Sequence, residues 1–120
     1  MLGIHLSGTA PIHEQLTEGI ENLILNGLLE KDSPLPSVRE LACELAVNPN
    51  TIQKAYTVLE QNGITYSVNG KGRYVGVTSE QMRLKKTSAL FEKLKALCCE
   101  LKAYGVSVSE IISKIEEFNL

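Results

Sequence analysis

The 120 residues carry 12 basic and 14 acidic side chains, a formal net charge of −2, with four tyrosines, two phenylalanines and no tryptophan. A chain of this length has room for one compact domain and an extension without needing disulfides. No run of about 18 apolar residues and no charged-then-apolar leader occurs, so neither a membrane span nor a signal peptide is indicated and a cytoplasmic protein is expected.

The negative sum argues at first against a nucleic-acid partner, yet the charge is unevenly spread. Residues 1–30 hold four glutamates and no lysine or arginine, giving −4, whereas residues 31–75 and 76–120 each come to +1. The local field, not the sum, governs contact with DNA. A footprint of +1 predicts weak non-specific binding and a reliance on dimerisation for useful affinity. Three cysteines, Cys43, Cys98 and Cys99, make an odd count with one adjacent pair, which argues against a disulfide framework. No CxxC spacing occurs and His5 and His13 stand alone, so neither a metal site nor a cofactor is expected.

In chain order, residues 2–6 form a short apolar stretch that suits an edge strand beside a later hairpin. From about Ala10, with Pro11 in the first turn, Ile12, Leu16, Ile20, Leu23 and Ile24 recur at helical spacing until Asn26-Gly27. The glutamates lie on the outer face of this helix, clear of any DNA. Leu28, Leu29, Pro34, Leu35 and Pro36 lead to the next element.

Ser37 followed three residues later by Glu40 is a capping box, and the spacing predicts a helix from Val38. Val38, Leu41, Ala42 and Leu45 share its buried face, leaving Arg39, Glu40 and Glu44 outside. Ala46 and Val47 are all that remain for a turn before Asn48, a good N-cap, and Pro49, which loses nothing at a first-turn position. The second helix, 49–61, has Ile52, Ala55, Tyr56 and Leu59 on one face and Asn50, Gln53, Lys54 and Thr57 on another. Amides pair bidentately with adenine, lysine reaches guanine or phosphate, and threonine donates, accepts or presents a methyl to thymine. An ordinary solvated helix face would show a similar polarity, so the context decides between the two.

That context is a hairpin. Asn62-Gly63 ends the helix, and residues 64–68 and 73–77 have strand composition around Asn69-Gly70-Lys71-Gly72. Lys71 and Arg73 sit at the tip or just beyond it. Glycines 70 and 72 let the backbone approach a phosphate or the minor groove, where the two cations add a sequence-independent attraction. A solvated hairpin tip is the bland alternative. Two helices around a tight turn followed by a hairpin make a winged helix-turn-helix, so the fold class is mainly α with a small β-wing.

The run LPSVRELACELAVNPNTIQKAYTVLEQNG with its GKGRYV wing resembles the DNA-binding domain of the GntR family of bacterial transcription regulators, over about residues 10–75. The short remainder is similar to the YtrA-type subfamily. The resemblance implies a homodimer on a palindromic double-stranded DNA operator, usually acting as a repressor. It implies DNA contacts for Arg39, in the SVREL motif, for Asn48, Asn50, Thr51 and Gln53 at the start of the recognition helix, and for Gly70 of the wing. Pro49 stands where other subfamilies carry a base-reading arginine, so their sequence preference does not transfer. Asp32 stands where a glycine is usual; aspartate tolerates the left-handed region better than most residues, which preserves the turn.

Beyond Val77 a second module is expected, dividing the chain into a DNA-binding domain at 1–77 and a two-helix dimerisation module at 78–120. Ser79 is a plausible cap. Thr87, Leu90, Leu94, Leu97, Leu101 and Tyr104 step by three and four, the spacing of a coiled-coil-like seam widened by Phe91 and Cys98. Gly105 ends that helix. Ser107 with Glu110 predicts another capping box, Val106 with Ile111 a hydrophobic staple, and Val108, Ile111, Ile112, Ile115 and Phe118 a final apolar face. Two short helices cannot bury both faces on each other. Either they fold back on the winged domain or they pair with a second copy, and two-fold operators favour the second.

An enzyme is disfavoured: no Gly-rich phosphate loop, nucleophile motif or metal-ligand cluster is present, and about 45 residues after the wing are too few for a large effector or catalytic domain. A winged helix that binds protein in place of DNA is the competing class. Acidic or strongly apolar residues at 50, 53 and 54 would mark it, and the chain has Asn50, Gln53 and Lys54. Release from DNA is assigned either to a small-molecule effector acting through the C-terminal helices or to protein level alone.

Overall fold

A computed structural model describes residues 2–120. Its elements are α1 (Ile12–Leu25), α2 (Val38–Leu45), α3 (Pro49–Gln61), β1 (Thr65–Val68), β2 (Gly72–Val75), α4 (Ser79–Ala103) and α5 (Val108–Glu117). They divide into two compact units, one ending at Arg83 and the other running from Leu84 to Leu120.

The first unit is built on α3, which packs against α1, α2 and β1. Leu16, Ile20 and Ile24 of α1, Leu41 and Ala42 of α2, and Ile52, Ala55, Tyr56 and Leu59 of α3 are buried together. These positions recur at i, i+3 or i+4, so each helix presents one stripe to a common core. Ile64, Val75 and Val77 close the core from the wing, and Met82 reaches it from the first turn of α4. Burying each large aliphatic side chain contributes about 1.5–3 kcal/mol relative to leaving it in water.

Local chemistry accounts for the boundaries. Ser37 Oγ accepts from the Glu40 amide at 3.0 Å and the Glu40 carboxylate accepts from the Ser37 amide at 3.4 Å, completing the box that starts α2. Ala46 ends α2 in the left-handed region at φ 55°, an expense for a non-glycine residue that lets Val47 reverse the chain in two residues. Asn48 Oδ1 then accepts from the Asn50 amide at 2.8 Å and Pro49 opens α3. Asp32 adopts φ 69°, the left-handed conformation expected for it.

The hairpin is antiparallel with Tyr66 opposite Tyr74 and Ser67 opposite Arg73. Both strands are one residue shorter than their sequence suggests, although Gly76 still donates in register to the Ile64 carbonyl at 2.8 Å. Residues 2–6 are not a strand and do not pair with the wing. They lie extended across α1, where Gly19 leaves room for Ile4, and Leu2, Ile4 and Leu6 pack on the core as half-buried side chains. The outer partner of β2 is instead the segment before α2: Asp32 and Leu35 donate to the carbonyls of Val75 and Arg73, and Val75 donates to Ser33. Pro34 and the residues around it thus act as a third, irregular strand, which a proline-rich connection does not advertise.

Two caps also differ from expectation. Pro11 is the N-cap of α1 and not part of its first turn. The helix α4 is capped by Thr78, whose hydroxyl accepts from Gln81 while the Gln81 amide oxygen accepts from the Thr78 N–H, so Ser79 is its first helical residue.

In the second unit, Ser107 caps α5 by accepting from the Glu110 amide at 3.1 Å. The Glu110 carboxylate faces the Ser107 hydroxyl and not its N–H, so only half of the expected box forms. Ile111 alone of the α4 and α5 apolar residues in this unit is buried. Although α4 has 25 residues, no helix among those described is long and apolar enough to cross a membrane.

Thr65 is 4 % exposed and its hydroxyl has no hydrogen-bond partner among the described residues. Thr65→Val keeps the branched shape and removes the unmet polar group, so it is expected to stabilise the fold by about 1 kcal/mol in denaturant titration. Ala46→Gly, which relieves the left-handed conformation, is expected to add about 1 kcal/mol by the same measurement.

Candidate nucleic-acid interface

The capped start of α3 projects from the core with its polar face outward. Asn48, Asn50, Gln53 and Lys54 are exposed, as is Thr57, while Thr51 is half-buried. The face cannot rotate inward, because Ile52, Ala55, Tyr56 and Leu59 are locked in the core on the opposite side. Gln53 donates to the Thr57 hydroxyl at 3.2 Å, which orients its amide along the helix. The cap uses only the oxygen of Asn48, leaving the NH2 of that exposed amide as a donor. No acidic side chain lies in the first turn of α3, so its N-terminal N–H groups and positive dipole end are not neutralised from within that turn.

Arg39 is exposed on the first turn of α2, one position before the Glu40 that completes the capping box. It is held out by its neighbours, Val38 being half-buried and Leu41 buried.

The wing is braced on both faces. On one, Ser67 Oγ donates to the Glu60 carboxylate at 2.5 Å and the Arg73 guanidinium lies 5.2 Å from the centroid of the Tyr56 ring, both partners belonging to α3. On the other, the Tyr66 and Tyr74 rings stack at 5.6 Å with 23° between their planes. Tyr66 donates its hydroxyl to Asp32 at 2.7 Å, and Tyr74 donates to the Lys71 carbonyl at 3.2 Å. The hydrogen bond to the Asp32 carboxylate holds the Tyr66 proton and raises its pKa above the ordinary tyrosine value. Lys71 and Gly70 are exposed at the tip, where Lys71 donates to the Val68 carbonyl across the turn and Gly70 takes φ 75°.

Arg73 lies just beyond the tip, in the ladder pair next to Val68 and Gly72, and is half-buried. The aromatic pair, the Asp32 acceptor and the Arg73 stack were not singled out from sequence. Their signal was strand register, since period two puts 66 and 74 on one face and 67 and 73 on the other once the turn is placed.

The cysteines are free, with Cys43 and Cys99 exposed and Cys98 half-buried. No three His, Cys, Asp or Glu side chains among the described residues form a group that could hold a metal ion.

Residues 12–75 match the model of the bacterial regulatory proteins of the gntR family. The chain is 33 % identical over 120 residues to the HTH-type transcriptional repressor YtrA of Bacillus subtilis, covering 99 % of this chain and 92 % of that protein. A solved transcriptional regulator from Oenococcus oeni superposes over the whole of both chains with a TM-score of 0.69 at 27 % identity. The DNA-binding domain of AraR, solved in complex with operator ORR3, matches 59 % of this chain and 86 % of that one with a TM-score of 0.53 at 32 % identity. With its helix-turn-helix and braced wing, the chain belongs to the gntR family of bacterial transcription regulators.

Proposed function

We propose that this chain is a homodimeric repressor whose two winged domains read the two halves of a palindromic operator. The observation that carries the reading is the outward face of α3: amide, hydroxyl and ammonium groups, none acidic, displayed behind a capped and uncompensated helix N-terminus. The named repressor role of the Bacillus relative and the operator complex of the AraR domain support the same assignment.

In this mechanism each α3 enters a major groove by its N-terminal half, where Asn50, Thr51, Gln53 and Lys54 meet base edges. Arg39 and Asn48 fix register on the phosphate backbone. Gly70 brings the wing backbone close to DNA and Lys71 grips a phosphate or the minor-groove edge. The gripping role expected of Arg73 passes to Lys71, since its guanidinium is engaged with Tyr56. DNA reading belongs to the module at 1–77 and pairing to the module at 78–120, with the first turn of α4 anchoring in the former through Met82. The protein acts by binding, not by catalysis.

Dimerisation is assigned to α4 and α5. Leu90, Leu94, Leu97 and Leu101 keep 60, 43, 56 and 42 % of their surface exposed, and Ile112 and Ile115 keep 52 and 40 %. A contiguous apolar surface of this kind on a monomer marks an interface, and Ile111 forms its buried floor. Between the two helices lies a groove of about 430 Å³ with walls from Leu94, Leu97, Leu101, Ile111, Ile115 and Phe118. Release is assigned to a small-molecule effector that alters half-site spacing through these helices.

Selection from a random-sequence DNA pool is expected to return a palindrome, bound about a thousandfold or more tighter than a scrambled duplex. Gln53→Ala should lose about 1–3 kcal/mol at one position of each half-site, while Lys71→Ala should weaken all sequences alike and flatten the salt dependence. Equal losses on operator and scrambled DNA for both variants would refute this division of labour. In sedimentation, wild type is expected to be a dimer at micromolar concentration, and Leu97→Glu a folded monomer with little operator affinity; a wild-type monomer would remove the dimer from the proposal.

A further inference from the structure

Arg73 sits in an unusual seat for a cation: over a ring, with part of its guanidinium unpartnered among the described residues. It stands on β2 opposite Ser67, on the wing face turned toward α3. Its guanidinium covers the Tyr56 ring, and its Nη1 is buried without a hydrogen-bond partner among the described residues. Tyr56 is itself 1 % exposed and donates its hydroxyl at 2.7 Å to the carbonyl of Pro36, the residue before the N-cap of α2. The backbone carbonyl of Arg73 meanwhile accepts from Leu35 at 2.9 Å.

A cation held in this way loses water at Nη1 without a carbonyl or carboxylate in return, and the ring face offsets only part of the loss. An apolar side chain of similar length would cover Tyr56 without that loss. What an apolar residue would not supply is a rigid plane whose electrostatic preference for the ring face fixes one orientation of the strand over the helix. Lysine would keep the charge but not the plane.

We infer that Arg73 is a positioning residue for DNA recognition: stacked on Tyr56, it sets the angle of the wing against the recognition helix. Lys71 and the α3 side chains can then engage DNA together, without Arg73 touching it. The inference rests on the reading of α3 and the wing as the DNA-contacting pair. Tyr56 is the pivot, because one residue holds both the entry to α2, through Pro36, and the inner face of the wing, through Arg73.

Arg73→Lys and Arg73→Met in the full-length chain test it. Both are expected to lose operator affinity about tenfold, with the slope of log affinity against log salt unchanged and the melting temperature of Arg73→Met equal to or above wild type. In the free protein, amide exchange across β1 and β2 should quicken in Arg73→Lys while that of α1 stays unchanged. If Arg73→Lys binds as wild type and Arg73→Met flattens the salt slope by about 2 per dimer, Arg73 is a phosphate contact and the inference falls. It falls equally if Arg73→Met melts well below wild type, which marks a merely structural side chain. Should wild type enrich no DNA sequence, the DNA reading itself fails; the exchange measurement then decides separately, and unchanged hairpin protection in Arg73→Lys would dispose of the clamp.

Discussion

The burial of Tyr56 is the constraint on which the interface depends. Its ring sits on the inner face of α3 and its hydroxyl is spent on the Pro36 carbonyl. Burial pushes its pKa up to about 12, with the nearby Arg73 charge pulling the other way. The phenol therefore stays protonated around neutral pH, where its donated hydrogen bond does not switch. With α3 fixed in rotation by this residue and by Ile52, Ala55 and Leu59, the opposite face has only one place to go, toward solvent. Recognition chemistry is thus positioned by what it is not: it is the complement of a buried stripe.

The wing is a different kind of problem. A two-stranded hairpin of four residues per strand is marginal on its own, and its tip must stay exposed if it is to meet DNA. The structure resolves this by bracing the hairpin at its base and along its sides. Glu60 and Tyr56 hold one face, Asp32 holds the other through Tyr66, and Tyr74 ties back to the Lys71 carbonyl. The irregular strand around Pro34 covers the outer edge of β2, where unpaired backbone groups would otherwise invite another chain. None of these supports consumes the Lys71 ammonium or the Gly70 backbone at the tip.

The helices were legible in the sequence because the signals were local. Ser37 with Glu40, Asn48 with Pro49, and the i, i+3, i+4 apolar steps each involve residues within one or two turns of one another, and all of these appear in the structure. Asp32 was legible for the same reason, as a substitution whose backbone tendency is a property of one residue. Some cap positions, at Pro11, Thr78 and Ser107, differ locally by a residue or a bond, but the larger failures were non-local. Residues 2–6 have the apolar composition of a strand, yet they pack on α1, where Ile4 lies against Gly19, a residue far from them in sequence. The third strand of the wing contains Pro34 and was invisible to strand propensity. The place of Arg73 just beyond the glycine turn is legible from the sequence, but its seat on Tyr56 follows only when strand register and helix rotation are known together.

The charge distribution makes sense within this arrangement. The four glutamates of the first 30 residues lie at or beyond α1, the helix that backs α3 from within the core and takes no part in the exposed polar face. The positive groups on the helix-turn-helix and wing tip are few: Arg39 on α2, Lys54 on α3 and Lys71 at the wing tip are exposed, whereas Arg73 is half-buried. Three exposed cations on these elements release few counterions, so a single winged domain would bind DNA weakly and lose even that at physiological salt. In the proposed dimer, joining two such domains makes the second contact effectively intramolecular and multiplies affinity without any new charge. A weakly charged reading head and a long, apolar, solvent-exposed C-terminal surface are on this view two parts of one design, in which discrimination is left to α3 and affinity to pairing.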